Sequence, residues 1–175
     1  MAATQVAAKT NNKPISKIAR KTELAAAKPA DAIKFLKADH KEVKNWFKDY
    51  AKLDDDGDKQ ALADNICLAL TVHTRIEEEI YYPAVRGAID DAHLLDEAEV
   101  EHASAKALIA EIQTMKAGDR LFDAKVTVLG EYVAHHVEEE ETEMFPESRG
   151  SDLDLKALGA QLANRKEELM AAAGK

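Results

Sequence analysis

His73-Thr74-Arg75-Ile76-Glu77-Glu78-Glu79-Ile80-Tyr81-Tyr82-Pro83 and, 63 residues later, His136-Val137-Glu138-Glu139-Glu140-Glu141-Thr142-Glu143-Met144-Phe145-Pro146 carry one pattern twice. Each places a histidine four residues before a glutamate, and an aromatic residue just ahead of a proline. Working outward, each half has a further histidine beside an acidic residue, Asp39-His40 and Glu101-His102. The spacings nearly agree, 33 residues from His40 to His73 and 34 from His102 to His136. Four of the six histidines thus fall, with Glu77 and Glu140, into a pseudo-symmetric array.

The residues around these motifs repeat at helical spacing. Ile33, Leu36, His40, Val43, Phe47 and Tyr50 step by threes and fours, which predicts a helix from about Asp31, a good N-cap, to Leu53. Asp54-Asp55-Asp56-Gly57-Asp58 breaks it, with Asp58 placed to cap a second helix over about 59–82 whose stripe is Leu62, Ile66, Leu70, His73, Glu77 and Ile80. Pro83 and Gly87 read as its end. A third helix over about 91–116 carries Leu95, Ala98, His102, Ala105, Ile109 and Ile112, and Gly118-Asp119 separates it from a fourth. The fourth shows Val126, Leu129, Val133, His136 and Glu140, closed by Pro146 and Gly150, and a short fifth from about Asp152 to Ala172 should flank the bundle. The predicted fold is all-α, an up-down-up-down four-helix bundle.

In that fold the six polar residues replace apolar ones inside core stripes. Residues four apart stack on one helix face, so His73 with Glu77, and His136 with Glu140, each present an imidazole and a carboxylate inward. His40 and His102 arrive from the other two helices. A lone histidine on an apolar face is usually a satisfied core residue, but six unpaired polar groups would cost several kcal/mol each to bury. Metal ions offset that cost. Four histidines and two glutamates give two imidazoles per metal, with two carboxylates left to bridge. Borderline imidazole with hard carboxylate suits iron best, and also accommodates manganese or zinc.

The Asp39-His40 pair, the His73-x-x-x-Glu77 motif with Tyr82-Pro83, and the His136-x-x-x-Glu140 motif with Phe145-Pro146 resemble the hemerythrin family, in its bacterial HHE cation-binding branch. The resemblance covers about residues 31–150. It implies a four-helix bundle around a non-heme di-iron centre, with His40 and His73 on one iron, His102 and His136 on the other, and Glu77 and Glu140 bridging. Oxygen carriers of the family have a fifth histidine beside the third-helix one, whereas the positions four either side of His102 are Ala98 and Lys106. Their fourth-helix carboxylate also follows its histidine by five residues rather than four. The expected centre is therefore the more symmetric four-histidine form, with Glu99, Tyr132 or Tyr50 as candidates for an extra ligand. The implied function is binding or sensing of O2, or of peroxide or nitric oxide. The alternatives are a peroxidase or ferroxidase acting through the same centre, and an iron-responsive or iron-storing regulatory module. A ferritin-like plan needs two Glu-x-x-His pairs, and only Glu99-x-x-His102 fits.

Composition supports this frame. Only seven Gly and four Pro among 175 residues, with 33% charged residues, favour helices. Residues 1–30 carry six basic side chains against Glu23 alone, a net +5, so the other 145 carry −14 of the total −9. That opening has too little apolar content to fold alone and is expected to be a disordered basic tail, with 31–150 as the bundle and 151–175 as the flanking helix. It lacks the apolar core of a secretory signal and is similar to a transit peptide only in its basic, acid-poor character. The acidic remainder argues against nucleic acid as the main partner. No run of 18 apolar residues would span a membrane, and the single Cys67, read as a small buried hydrophobe, fits the cytoplasm. Glu138, Glu139, Glu141 and Glu143 read as a solvated acidic face, and His135 and His93 as exposed.

Overall fold

A computed structural model describes residues 31–174. The expected basic tail, residues 1–30, lies outside them. Among the described residues every element is helical. Helix α1 (Ala32–Tyr50) starts where the Asp31 carboxylate accepts the backbone N–H of Lys34 at 2.9 Å. Helix α2 (Asp56–Ile76) starts one turn before the expected cap. Asp55, not Asp58, is the N-cap, accepting the Asp58 N–H at 3.0 Å. In an aspartate-rich run the cap goes to the residue whose carboxylate reaches an orphan amide, and Asp56 and Asp58 then suit the positive end of the helix dipole.

Pro83 does not end the second rod. The chain runs from α2 through a π-helical turn, Glu77–Tyr81, into α3 (Tyr82–Val85). The Tyr82 N–H reaches back five residues to the Glu77 carbonyl, and Pro83, with no N–H to give, sits in the first turn of the new segment. The second repeat does the same. Helix α4 (His93–Gln113) is followed by α5 (Phe122–Glu139), a π turn at Glu140–Met144 and α6 (Phe145–Gly150), with the Phe145 N–H on the Glu140 carbonyl. Gly118, at φ 92°, makes the tight reversal between α4 and α5.

The four rods pack in a ring, with α1 on α2 and α5, and α4 on α2 and α5. Helix α7 (Leu155–Ala173), capped by Asp154, is as long as α1 rather than short. It lies against α1 and α2 and buries Leu158 and Leu162. Two apolar cores result. One holds Val43, Leu70, Ile109, Leu129 and Val133; the other holds Leu36, Ile76, Leu95, Phe145 and Leu162. Three rods pass from one core to the other through a histidine, Leu36 to Val43 around His40, Leu70 to Ile76 around His73 and Ala98 to Ala105 around His102, and the fourth crosses from Val137 to Met144 around Glu140. The candidate site is the polar seam between two dry layers.

Candidate metal centre

His40, His73, Glu77, His102, His136 and Glu140 are all buried, none exposing more than 7% of its surface. All four imidazoles aim Nε2 at the middle of the bundle. His40 and His73 bring theirs to 3.1 Å of each other, and so do His102 and His136. The two glutamates span the pairs. Glu77 puts Oε1 at 3.1 Å from His73 and Oε2 at 3.5 Å from His102. Glu140 puts Oε2 at 3.2 Å from His40 and 3.7 Å from His136. Donor atoms of His40, His73, Glu77 and Glu140 fall within 4.8 Å of one another, and those of Glu77, His102 and His136 form a second such group. The structure brings these six residues to one place, His40 beside His73 and His102 beside His136.

The extra-ligand candidates are elsewhere. Glu99 is on the surface, where its carboxylate pairs with Arg86 at 2.5 Å and not with the centre. Tyr50 donates to Asp123 at 2.7 Å, away from the centre. Tyr132 is half-exposed and touches only a small cavity beside the site. The tyrosine that does enter is Tyr82. Its hydroxyl donates to Glu140 Oε1 at 3.0 Å and stands 3.2 and 3.4 Å from the Nε2 atoms of His102 and His136. The π turn after Glu77 delivers it there. Its counterpart Phe145 has no hydroxyl and stacks on His40, centroids 5.7 Å apart and planes 7° apart.

Behind each imidazole stands a carboxylate facing Nδ1, and each is the sequence neighbour of a centre residue on a different rod. Asp39 backs His73 (3.5 Å), Glu101 backs His136 (2.8 Å), Glu78 backs His102 (3.0 Å) and Glu141 backs His40 (3.1 Å). Glu141 therefore leaves the solvated acidic face to which its run had assigned it. Such carboxylate–histidine pairs fix the tautomer with Nε2 free and raise the basicity of a ligating imidazole. The sequence signal was present, since an acidic residue adjoins a centre residue four times over, but the pairing across rods is not local.

Charge is distributed to match. Burial opposes protonation of His73, but Glu77 and Asp39 outweigh it and push the imidazole up to about 10. Burial is likewise outweighed at His136 by Glu140 and Glu101, which carry it up to about 9. At His102 burial wins, helped by the charge on His136, and the imidazole is held below its ordinary value. Glu140 is pulled far below the usual carboxylate range: burial would raise it, but His136 and His40 prevail. Burial, with Glu140 and Glu77, keeps the Tyr82 phenol protonated. Five buried polar atoms still have no hydrogen-bond partner: Asp39 Oδ2, His73 Nδ1, both oxygens of Glu77 and Glu140 Oε2. Three of the five are carboxylate oxygens of the two spanning glutamates, so the donor set fits a pair of metal ions.

A four-helix bundle with a buried histidine–carboxylate cluster at its seam defines a helical-bundle protein able to bind metal. The chain belongs to the hemerythrin family: the hemerythrin HHE cation binding domain matches residues 31–148. A solved hemerythrin HHE cation binding domain-containing protein from Mycobacterium kansasii superposes with a TM-score of 0.71 at 24% identity, over 82% of this chain and 90% of that one. A DNA nickase from Nostoc sp. (strain PCC 7120 / SAG 25.82 / UTEX 2576) is 29% identical over 119 residues, 66% of this chain but 33% of that relative. The chain thus spans about a third of the nickase's length.

Proposed function

We propose that the protein is a non-heme di-iron protein that binds a small ligand, O2, peroxide or nitric oxide. The observation that carries this reading is the convergence of four Nε2 atoms and two spanning glutamates on one buried seam, each imidazole backed by a carboxylate. His40 and His73 would hold one ion, His102 and His136 the other, with Glu77 and Glu140 shared and the Tyr82 oxygen beside the second. Iron there would supply redox and Lewis-acid chemistry, with manganese or zinc as Lewis-acid substitutes.

The chain's own groups set what reaches it. A cavity of about 30 Å³ lies against the imidazoles, walled by Val43, Leu70, Ala105, Val133 and Val137. A water occupies about 10–15 Å³ on this measure, so the space admits a two- or three-atom ligand and no larger substrate. Apolar walls exclude bulk water, while the Tyr82 hydroxyl offers a hydrogen bond at the seam. That phenol favours a second reading, turnover of peroxide, because it places a donatable hydrogen beside the second ion site. The nickase activity of the cyanobacterial relative finds no support here: residues 31–175 carry −14, which repels phosphates. No helix among the described residues is long and apolar enough to cross a membrane, and a cytoplasmic site of action fits the buried, inert Cys67.

The test is anaerobic reconstitution with Fe(II), metal analysis, and an absorption spectrum on admitting O2. A band that disappears on deoxygenation indicates carriage or sensing; steady-state peroxide consumption indicates the enzyme. A His73→Ala chain that keeps two irons refutes the ligand assignment.

A further inference from the structure

The four carboxylates behind the imidazoles differ in what holds their outer side. Asp39 Oδ1 is met by Lys166 of α7 at 2.6 Å, Glu141 Oε2 by Lys37 at 3.3 Å, and Glu78 by Lys106 at 2.7 Å. At the fourth corner there is no lysine. The outer oxygen of Glu101 faces His135 Nε2 at 3.4 Å, and the same nitrogen is 3.4 Å from Glu139 Oε1. Donor atoms of Glu101, His135 and Glu139 lie within 4.8 Å of one another. These three, with His93, Glu97 and Asp96, line one surface hollow, so the two histidines outside the buried centre share it. No lysine or arginine lines it.

We propose that this hollow is a third cation site, taking a divalent transition metal on Glu101, His135 and Glu139, with His93 and Glu97 at its rim. Imidazole and carboxylate together select a borderline dication over calcium or magnesium, which prefer oxygen alone. The dication replaces the positive charge that a lysine brings to each of the other corners. It is also wired to the buried centre: Glu101 holds the surface ion through Oε1 and His136 Nδ1 through Oε2, at 2.8 Å. Binding at the hollow draws charge from Glu101 and weakens its hold on His136.

Equilibrium dialysis against Mn(II) or Co(II), after iron loading, counts the ions. The native chain binds one more than a His135→Lys chain, in which the fourth corner is closed as the others are. A His135→Ala, Glu139→Gln chain loses the same ion. Because the count is a difference between chains, it reads the hollow whether or not the buried centre has filled. A buried centre that stays empty would refute the di-iron reading and leave this difference standing. Substoichiometric Mn(II) should broaden the imidazole signals of His135 and His93 by NMR. Filling the hollow should also shift the absorption of the iron-loaded native chain and leave that of His135→Lys unmoved. Equal ion counts in native and His135→Lys chains, or broadening confined to other residues, overturn the proposal.

Discussion

Stripping metal from the buried centre should destabilise the fold, and the amount follows from its atoms. Five buried polar atoms lack a hydrogen-bond partner, four of them on Glu77, Glu140 and Asp39. Each such atom costs about 1–3 kcal/mol. Protonated His73, 3.1 Å from Glu77 Oε1, recovers part of this through charge, so the lower figure applies. Only the three oxygens on Glu77 and Glu140 face the seam, while Asp39 Oδ2 and His73 Nδ1 face each other behind the imidazole, so the total is about 3 kcal/mol, a sizeable share of the roughly 5–15 kcal/mol that holds a domain together. For a chain of this size about 1 kcal/mol moves Tm by about 2–4 °C, so thermal unfolding followed by circular dichroism should show metal raising Tm by about 6–12 °C. Glu77→Met supplies a second arm. It removes two of the five orphaned atoms but leaves the buried His73 without its charge partner, so the metal-free variant should melt below the native metal-free protein, with the metal-dependent increment lost. A Tm unaltered by chelation, or a Glu77→Met chain that still gains stability from metal, would refute the reasoning.

Other expectations follow from the same contacts. Tyr82→Phe gives the first repeat the phenyl ring that Phe145 gives the second; metal content should hold while the absorption of the iron-loaded protein shifts, and an unchanged spectrum would remove Tyr82 from the centre. His73 and His136, held at about 10 and 9 without metal, must shed protons to bind it. Loading at neutral pH should release about two protons, read by calorimetry in buffers of different ionisation enthalpy, and affinity should fall with falling pH. The metal-free fold gains from these two imidazoliums fully below 6.5 and loses that gain as pH rises through 9 to 10; the depressed Glu140 contributes above its ordinary 4.5 and is lost on acidification. Chemical denaturation across pH should therefore show a stability plateau between those two ordinary values. Ala105→Leu fills the cavity beside the imidazoles, so ligand binding by stopped flow should slow by about tenfold or more with both irons retained.

The rods and the six centre residues were legible because both rest on local periodicity. His40, His73, His102 and His136 stand in apolar stripes, and burying them without a partner is too unfavourable to be accidental. Tyr82 was not legible, for a definite reason. An α-helical count from Glu77 puts the residue four on, Tyr81, in register, whereas the π turn inserts one residue and stacks Tyr82 there instead. Tyr81 then faces Ser148, to which it donates at 2.9 Å. Pro83 and Pro146 look like stop signals in sequence and are where the ladder resumes after the wide turn. Glu78 and Glu141 were hidden in acidic runs, since their partners lie on other rods. The place of α7 was also non-local: Lys166 closes the Asp39 corner only once the helix has folded back on α1.

The doubled motif suggests two equal halves, and the structure departs from that equality twice. Tyr82 takes the place that Phe145 has in the other repeat, and His135 with Glu139 takes the place of a lysine. Both departures act on the His102 and His136 pair. The other pair is sealed: Phe145 stacks on His40, while Lys37 and Lys166 neutralise the carboxylates behind His40 and His73. Burial also divides the second pair, holding His102 neutral while His136 is drawn toward protonation. A hydroxyl on one side, a metal-type surface cluster on the other and split basicity make this half the responsive one. On the proposed function the near-symmetric scaffold would hold two ions at one seam, and the departures from symmetry would determine which of them meets the ligand.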